Sequence, residues 1–283
     1  MIKEDILVVG LGEVGRPLFE LLKESTDFNV YCFDLDEKKM QEIGQRVSDF
    51  PSKFSVMHVC IPCFNKGDYV STIVNYVERF NPRLLIINST VEPGVTLEVH
   101  KHCSNCLVVH SPVRGVHKSK EYMKKELKRW TKYIGGATPE AAELAEKHFR
   151  KLGLKTKVVK SCVETELAKL FETTYRAWMI ACFQEMHRIS QNFGASFDDV
   201  ADFIEDTHRL RHDRPVMFPG VIGGHCQIPN IKLLLRTYES KFLRIVLESN
   251  EKRKEEIKNP QVVKEIEEIK KRVEANEKLI AAT

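Results

Sequence analysis

No apolar run in these 283 residues reaches the roughly 20 positions needed to cross a bilayer. The first residues run straight into Ile6-Leu7-Val8-Val9-Gly10, without the basic start or small-residue cleavage site of a secretory leader. Neither a membrane-spanning nor an exported chain is expected, and the reading is cytoplasmic with no membrane partner. An excess of one charge is missing too. The 44 Lys and Arg stand against 40 Asp and Glu, a formal charge of +4, and the basic residues are dispersed among the acidic ones. Without a basic stripe there is no electrostatic footprint for nucleic acid, so no nucleic-acid partner is expected. Internal repeats and low-complexity linkers are absent as well.

The eight cysteines have nothing secretory around them and read as reduced thiols. Cys60/Cys63 and Cys103/Cys106 form two Cys-x-x-Cys pairs, and four thiolates suit zinc. Cys60, however, ends an apolar strand-like run, and neither pair carries the glycine knuckles of a zinc ribbon. Ordinary thiols and no metal are the expectation.

What is present is enough apolar residue, 42%, to bury one large core or two modest ones. Short apolar runs at 6–9, 28–33, 56–61, 84–87, 107–109 and 133–135 predict strands, and the helical spacings at 38–43, 69–80 and 139–152 predict helices between them. This alternation predicts a parallel, layered α/β unit over about residues 1–160. The pattern then becomes helical. Leu167, Leu170, Phe171, Trp178, Cys182, Met186 and Ile189 recur at three- and four-residue spacings, which marks one long helix over 164–192 with a wide apolar face. Further helix is expected at 198–204 and 231–257, with irregular chain over 209–226. After Pro260, the apolar residues Val262, Ile266, Ile269, Val273 and Ile280 lie among Lys and Glu, as in an amphipathic tail. The expected organisation is an N-terminal Rossmann-type parallel-sheet domain over 1–160, an all-helical central or dimerisation domain over 161–258 built on the long helix, and a charged C-terminal helix over 259–283. A homodimer seam on the long helix and burial of that face within one chain are both open. The tail either packs on its own domain or reaches a protein partner.

The chemistry begins at Gly10-Leu11-Gly12-Glu13-Val14-Gly15, which follows an apolar strand and opens an amphipathic helix. In that setting the first glycine permits the tight turn, the second lets backbone approach a pyrophosphate, and the third allows close helix packing. The helix N-terminus adds amide donors. Asp34 ends the next strand, where a carboxylate accepts bonds from ribose hydroxyls and repels a 2′-phosphate, so the expected cofactor is NAD. Pro62, Ser89 and Thr90 occupy later strand ends of the same edge; Ser89 and Thr90 either bond cofactor or substrate or simply form turns and caps.

Taken in order, Gly10-x-Gly12-x-x-Gly15, Asp34, Ser89-Thr90-Val91-Glu92-Pro93-Gly94, Glu164-Thr165-Glu166-Leu167-Ala168-Lys169-Leu170 and Gly223-Gly224-His225-Cys226 resemble the nucleotide-sugar 6-dehydrogenases over about residues 1–250. The resemblance implies oxidation of a sugar alcohol twice with NAD, through a cysteine thiohemiacetal and thioester. It places Cys226 as nucleophile and Lys169 as stabiliser of oxyanion charge, and Thr90 is read with them as a catalytic residue. Gly223, Gly224, His225, Thr173, Asn230 and Arg114 then fall to substrate binding. The chain departs from the family pattern at three points. Val113 stands where the family has a glutamate, and a valine cannot shuttle a proton. Thr173 replaces an asparagine and Asn230 an aspartate. These departures fall on the hydrolytic step. The family's second nucleotide-binding domain has no counterpart in the roughly thirty residues after Asn250. A basic run at His208, Arg209, Arg211, His212 and Arg214 reads as an anion clamp or as a solvated loop.

The reading is an NAD-dependent oxidoreductase acting on the alcohol of a nucleotide sugar or related anionic sugar, as a homodimer. Two alternatives stay open: a single two-electron oxidation with Lys169 as the main catalyst, and a noncatalytic NAD-binding or assembly protein.

Overall fold

The structure, a computed structural model, describes residues 3–115, 119–224 and 226–282, with side chains up to residue 275. The chain divides into two compact units, Met1–Lys169 and Leu170–Thr283. The first holds strands β1 (Glu4–Val9), β2 (Phe28–Phe33), β3 (Phe54–Val59), β4 (Pro82–Ile87), β5 (Leu107–His110), β6 (Lys132–Gly136) and β7 (Thr156–Val158). Between them lie helices α1 (Gly15–Lys23), α2 (Glu37–Ile43), α3 (Lys66–Phe80), α4 (Val95–His102), α5 (Lys120–Arg129) and α6 (Pro139–Lys151).

The strands form one sheet in the order β2-β1-β3-β4-β5-β6-β7. Strands β1 to β5 are parallel, as the alternating pattern predicts. The pairing of β5 with β6 is antiparallel. The expected parallel unit is thus mostly parallel, with this one antiparallel pair. The connection through α5 leaves and rejoins the sheet at the same edge, so β6 must run back. Two apolar layers cover the sheet. Leu18, Leu22, Met123, Ala145 and Phe149 pack one face, and Tyr69, Ile73, Phe80, Val95 and Val99 the other. The order reverses direction between β1 and β3, and such a switch point opens a crevice beyond the carboxyl ends of the strands.

The long helix α7 (Cys162–Asn192) contains the division between the two units. The second unit continues with α8 (Phe197–Arg211), α9 (Gln227–Thr237), α10 (Lys241–Glu256) and α11 (Pro260–Ala282). Phe183, Phe197, Ala201, Val216, Met217 and Ile269 form its apolar centre. Arg272 on α11 binds Asp198, Asp202 and Glu205 of α8, so the tail helix is tied to its own unit. Among the described residues no helix is long and apolar enough to cross a membrane.

Several elements differ from the sequence expectation. The stretch 231–257 is two helices, because the chain leaves helical geometry at Tyr238 and Ser240 caps α10 by accepting a bond from the Leu243 amide. Helix α5 carries mostly charged side chains and buries only Met123, Glu126 and Leu127, too few for a clear period. Strand β7 is a three-residue edge with an exposed lysine, and α4 is a short helix burying Val95, Thr96 and Val99.

Candidate functional site

The glycine turn sits at the carboxyl end of β1, beside the switch point. Gly10 has φ 88°, and a Cβ there would lie 2.8 Å from Ile61 Cγ2 and 2.9 Å from the Cys60 carbonyl oxygen. A Cβ on Gly15 would fall 1.7 Å from the Gly10 carbonyl oxygen. The fold itself therefore demands both glycines. Gly12 is different: an added Cβ would meet nothing within 4 Å, so protein packing gives no reason for its missing side chain. Approach of a ligand to the backbone does. Helix α1 supports the same reading, because its N-cap, Val14, supplies no side-chain acceptor to the first amides.

Asp34 organises this turn. Its Oδ2 accepts a 2.6 Å bond from the Leu11 amide and lies 3.3 Å from Lys39 Nζ, while its Oδ1 accepts 2.9 Å from the Asp36 amide. Burial pushes the carboxyl upward, but the Asp36 and Leu11 amides and the Lys39 ammonium outweigh it and hold Asp34 below the usual range. The carboxylate thus fixes the loop and stays ionised, with lone pairs remaining for ribose hydroxyls. A cleft of about 560 Å³ opens beside it, walled by Leu11, Gly12, Glu13, Arg16, Lys39 and Lys120 among others. These features fit an adenine dinucleotide.

Further along the same edge, Ser89 Oγ donates 2.6 Å to the Ile61 carbonyl, which joins the ends of β3 and β4. Thr90 follows, half-buried, and Pro62 is exposed. The Ser89 hydroxyl proton is thus given to the backbone. Two residues that the motifs did not single out build the floor. His110, fully buried at the end of β5, bonds Thr165 Oγ1 at 2.8 Å through Nδ1 and the Ser89 carbonyl at 3.0 Å through Nε2. Burial first, and then the Lys132 and Lys169 charges, push it down to about 3 against the Ser89 bond, so it is neutral. Glu166 Oε2 and Oε1 accept from the Gly94 and Thr96 amides at 2.7 and 2.8 Å, capping α4 from α7. Lys169 lies one turn further along α7, half-buried and near enough to depress His110 and Lys132. Lys132 is buried and donates to the Ser111 and Pro112 carbonyls at 2.6 and 3.2 Å. Burial pushes it down to about 7.

Val113 packs in the core, 6% exposed, so this chain offers no acid or base there. Arg114 stacks on Trp130 at 4.6 Å and on Tyr133 at 5.7 Å. An aromatic cradle of this kind orients a guanidinium.

In the second unit, Cys226 is half-buried at the N-cap of α9, a place where helix amides favour an anion. Its carbonyl accepts from the Asn230 amide at 3.0 Å, and Asn230 Nδ2 in turn donates to Thr173 Oγ1 at 2.9 Å. Three of the sequence candidates, Cys226, Asn230 and Thr173, are therefore linked. Gly223 and Gly224 are exposed, and Gly224 has φ 77°. His225 lies outside the described residues. The loop before them is held by buried amides that no motif pointed to. Gln184 Nε2 donates to the Gly220 carbonyl at 2.7 Å, and Asn250 takes both the amide and the carbonyl of Ile222 at 2.7 and 3.2 Å. The basic run ends α8: Arg209 pairs with Glu205 and Asp206, Arg214 with Asp213, and His208 Nδ1 accepts from the Arg214 amide at 3.0 Å. Those carboxylates offset much of its charge. Among the described residues no group of three or more metal-ligating side chains occurs, and all eight cysteines are free thiols.

Residues 163–252 match the profile of the UDP-glucose/GDP-mannose dehydrogenase family, central domain. The UDP-N-acetyl-D-mannosamine dehydrogenase of Methanocaldococcus jannaschii is 27% identical over 87% of this chain, which spans 65% of that relative's length. Among solved structures, the UDP-D-ManNAc dehydrogenase of Pyrococcus horikoshii superposes with a TM-score of 0.69 at 24% identity, covering 87% of this chain and 68% of its own. A 3-hydroxyisobutyrate dehydrogenase of Mycobacterium tuberculosis shares the fold with a TM-score of 0.65 at 16% identity, covering 88% of this chain and 92% of its own. Residues 163–252 thus correspond to the central domain of that family, and the chain as a whole is similar in sequence to UDP-N-acetyl-D-mannosamine dehydrogenases, of whose length it spans 65%.

Proposed function

We propose that this protein is an NAD-dependent oxidoreductase that oxidises an alcohol of a nucleotide sugar or a related anionic sugar. The observation that carries the reading is the glycine turn fastened by Asp34 at the switch point of a chain whose residues 163–252 match the family's central domain. Gly12 and the uncapped start of α1 receive the pyrophosphate, and Asp34 receives the adenosine ribose. Bound NAD supplies the acceptor for the carbon-bound hydrogen and its electron pair. Lys169 stabilises the alkoxide as the hydroxyl proton departs to solvent. Thr90 hydrogen-bonds the reacting end of the substrate or the cofactor. Where oxidation continues, the Cys226 thiolate adds to the aldehyde carbon and the new alkoxide takes a proton. The thiohemiacetal then gives its carbon-bound hydrogen and electron pair to a second NAD and its hydroxyl proton to solvent, and water cleaves the carbon–sulfur bond of the resulting thioester to release the acid and the free thiol.

One observation favours the shorter reaction. The buried Val113 and the Asn230–Thr173 pair leave no carboxylate at the places where the family resemblance implies them, and hydrolysis of a thioester needs a base to take a proton from water. A single two-electron oxidation that rests on Lys169 needs none of these groups.

A homodimer is part of the proposal. Phe171, Tyr175, Met186 and Ile189 on α7, with Phe242 and Ile245 on α10, leave large apolar side chains exposed in the second unit. Exposure on this scale is relieved by a partner surface.

The test is NADH release by purified protein given NAD and a panel of UDP-, GDP- and phosphate-linked sugars, repeated with Lys169→Ala. Turnover on at least one nucleotide sugar, lost in the variant, is expected. NAD binding without turnover on any alcohol would favour a noncatalytic role, and turnover untouched by Lys169→Ala would remove the assigned mechanism.

A further inference from the structure

The amino edge of the sheet, opposite the glycine turn, carries a second cleft of about 560 Å³, bounded by Glu4, Arg83, Lys147, His148, Arg150 and Lys151 among others. The residues come from the starts of β1, β3 and β4 and from the last turns of α6. Four cations there face one carboxylate. Lys151 is paired with Glu4 at 2.5 Å and Arg150 with Glu146 at 2.9 Å. Arg83 and Lys147 form no ion pair among the described residues, and both side chains are exposed at the cleft. A doubly wound sheet places its usual ligand at the other edge, so the fold's ordinary site does not account for this basic cleft.

A second feature lies beneath the same cleft. A chain of buried donors crosses the sheet beneath it. Lys132 Nζ donates to Asn88 Oδ1 at 3.3 Å, which leaves Asn88 Nδ2 to donate to the Ile86 carbonyl at 3.1 Å and to His58 Nδ1 at 3.2 Å. His58 Nδ1 is then an acceptor, so in the neutral ring the proton sits on Nε2. That proton is donated to His148 Nε2 at 2.9 Å. The neutral His148 ring must carry its own proton on Nδ1. Burial holds both imidazoles neutral. His148 is 3% exposed and lines the cleft, and its Nδ1 has no hydrogen-bond partner among the described residues. Each link donates toward the next, and the last donor has no acceptor. An orphaned buried N–H costs on the order of 1–3 kcal/mol.

We propose that this cleft binds a phosphate-bearing small molecule, with Arg83 and Lys147 as charged contacts and the His148 Nδ1–H as the buried donor. A phosphate offers several strong acceptor oxygens that match a guanidinium fork and an ammonium together. The cleft has the volume of a small-molecule pocket. The site lies outside the dinucleotide cleft and is independent of the oxidoreductase reading.

Inorganic pyrophosphate is titrated into the full chain by calorimetry at constant ionic strength, while the imidazole resonances of His148 are followed by NMR. The surface double variant Arg83→Ala/Lys147→Ala removes the proposed contacts, and Lys38→Ala/Lys39→Ala alters the other cleft. Expected is saturable binding, weakened about tenfold or more by the first variant and not by the second, with the His148 Nδ1 proton shifting in step with saturation. No saturable binding, binding indifferent to Arg83→Ala/Lys147→Ala, binding removed by Lys38→Ala/Lys39→Ala, or saturation with an unmoved His148 resonance would each overturn the proposal.

Discussion

Asn230 Nδ2 donates a 2.9 Å hydrogen bond to Thr173 Oγ1, which itself donates 2.9 Å to the Leu170 carbonyl. The two residues that depart from the family pattern on either side of Cys226 in sequence are thus matched to each other. An amide and a hydroxyl satisfy one another without charge, whereas a carboxylate in place of the Asn230 amide would lose the donor and bring a charge. Asn230→Asp is therefore expected to destabilise the fold by about 1 kcal/mol while supplying a group able to accept a proton from water. Denaturant titration and the acid-to-aldehyde product ratio check both halves, and a gain of acid product is the predicted direction.

The glycine turn separates folding from binding. Gly15→Ala puts a Cβ 1.7 Å from a backbone oxygen and is expected to cost upwards of about 3 kcal/mol. Gly12→Ala meets no protein atom within 4 Å and is expected to change stability by less than about 0.5 kcal/mol. The same Gly12→Ala change should weaken NAD about tenfold or more, because the methyl occupies the path of the pyrophosphate. Thermal unfolding and a fluorescence titration of NAD report the two effects separately.

Glu166 is buried, and burial raises its pKa although the Thr96 and Gly94 bonds pull the other way. Glu166→Ala leaves two amides at the start of α4 without their acceptors and is expected to cost about 2–3 kcal/mol. Glu166→Gln keeps one acceptor oxygen and should cost less. Urea midpoints of the two variants give the comparison.

Acid should destabilise the first unit through its histidines. Burial holds His58 well below 6.5 and brings His110 and His148 to about 3. The unfolded chain binds protons near pH 6.5 that the native chain refuses, so their contribution is complete above that pH. It is lost as pH falls below 6.5, for His110 and His148 down to about 3, at about 1.4 kcal/mol per pH unit for each of these two rings. Replacing His148 with Phe should lower the slope of stability against pH between 6 and 4 by one proton's worth.

Much of this architecture is legible in the sequence because its signals are local. The apolar runs of β1 to β5, the glycine turn and the apolar period of α7 each sit within one stretch of chain. What escapes is tertiary. His110, Glu166, Lys132, Gln184 and Asn250 acquire meaning only through partners from 21 to 72 positions away, such as the Gly94 amide for Glu166 and the Ser111 carbonyl for Lys132. Asn250 reads as a polar residue in a charged helix, yet it is 1% exposed and holds both backbone groups of Ile222. The antiparallel turn of β6 is hidden for a related reason: strand direction depends on where the connection returns, and the sparse apolar face of α5 gives no sign of it.

The most direct test of the account is the number of NADH formed for each nucleotide sugar consumed, measured with the unaltered chain and with Cys226→Ala. NADH formation on a nucleotide sugar by the unaltered chain is expected. Two NADH per sugar that fall to one or none in Cys226→Ala would establish the thioester route, and one NADH per sugar in both proteins would establish the shorter oxidation. No NADH from any nucleotide sugar, with NAD bound, would contradict the account.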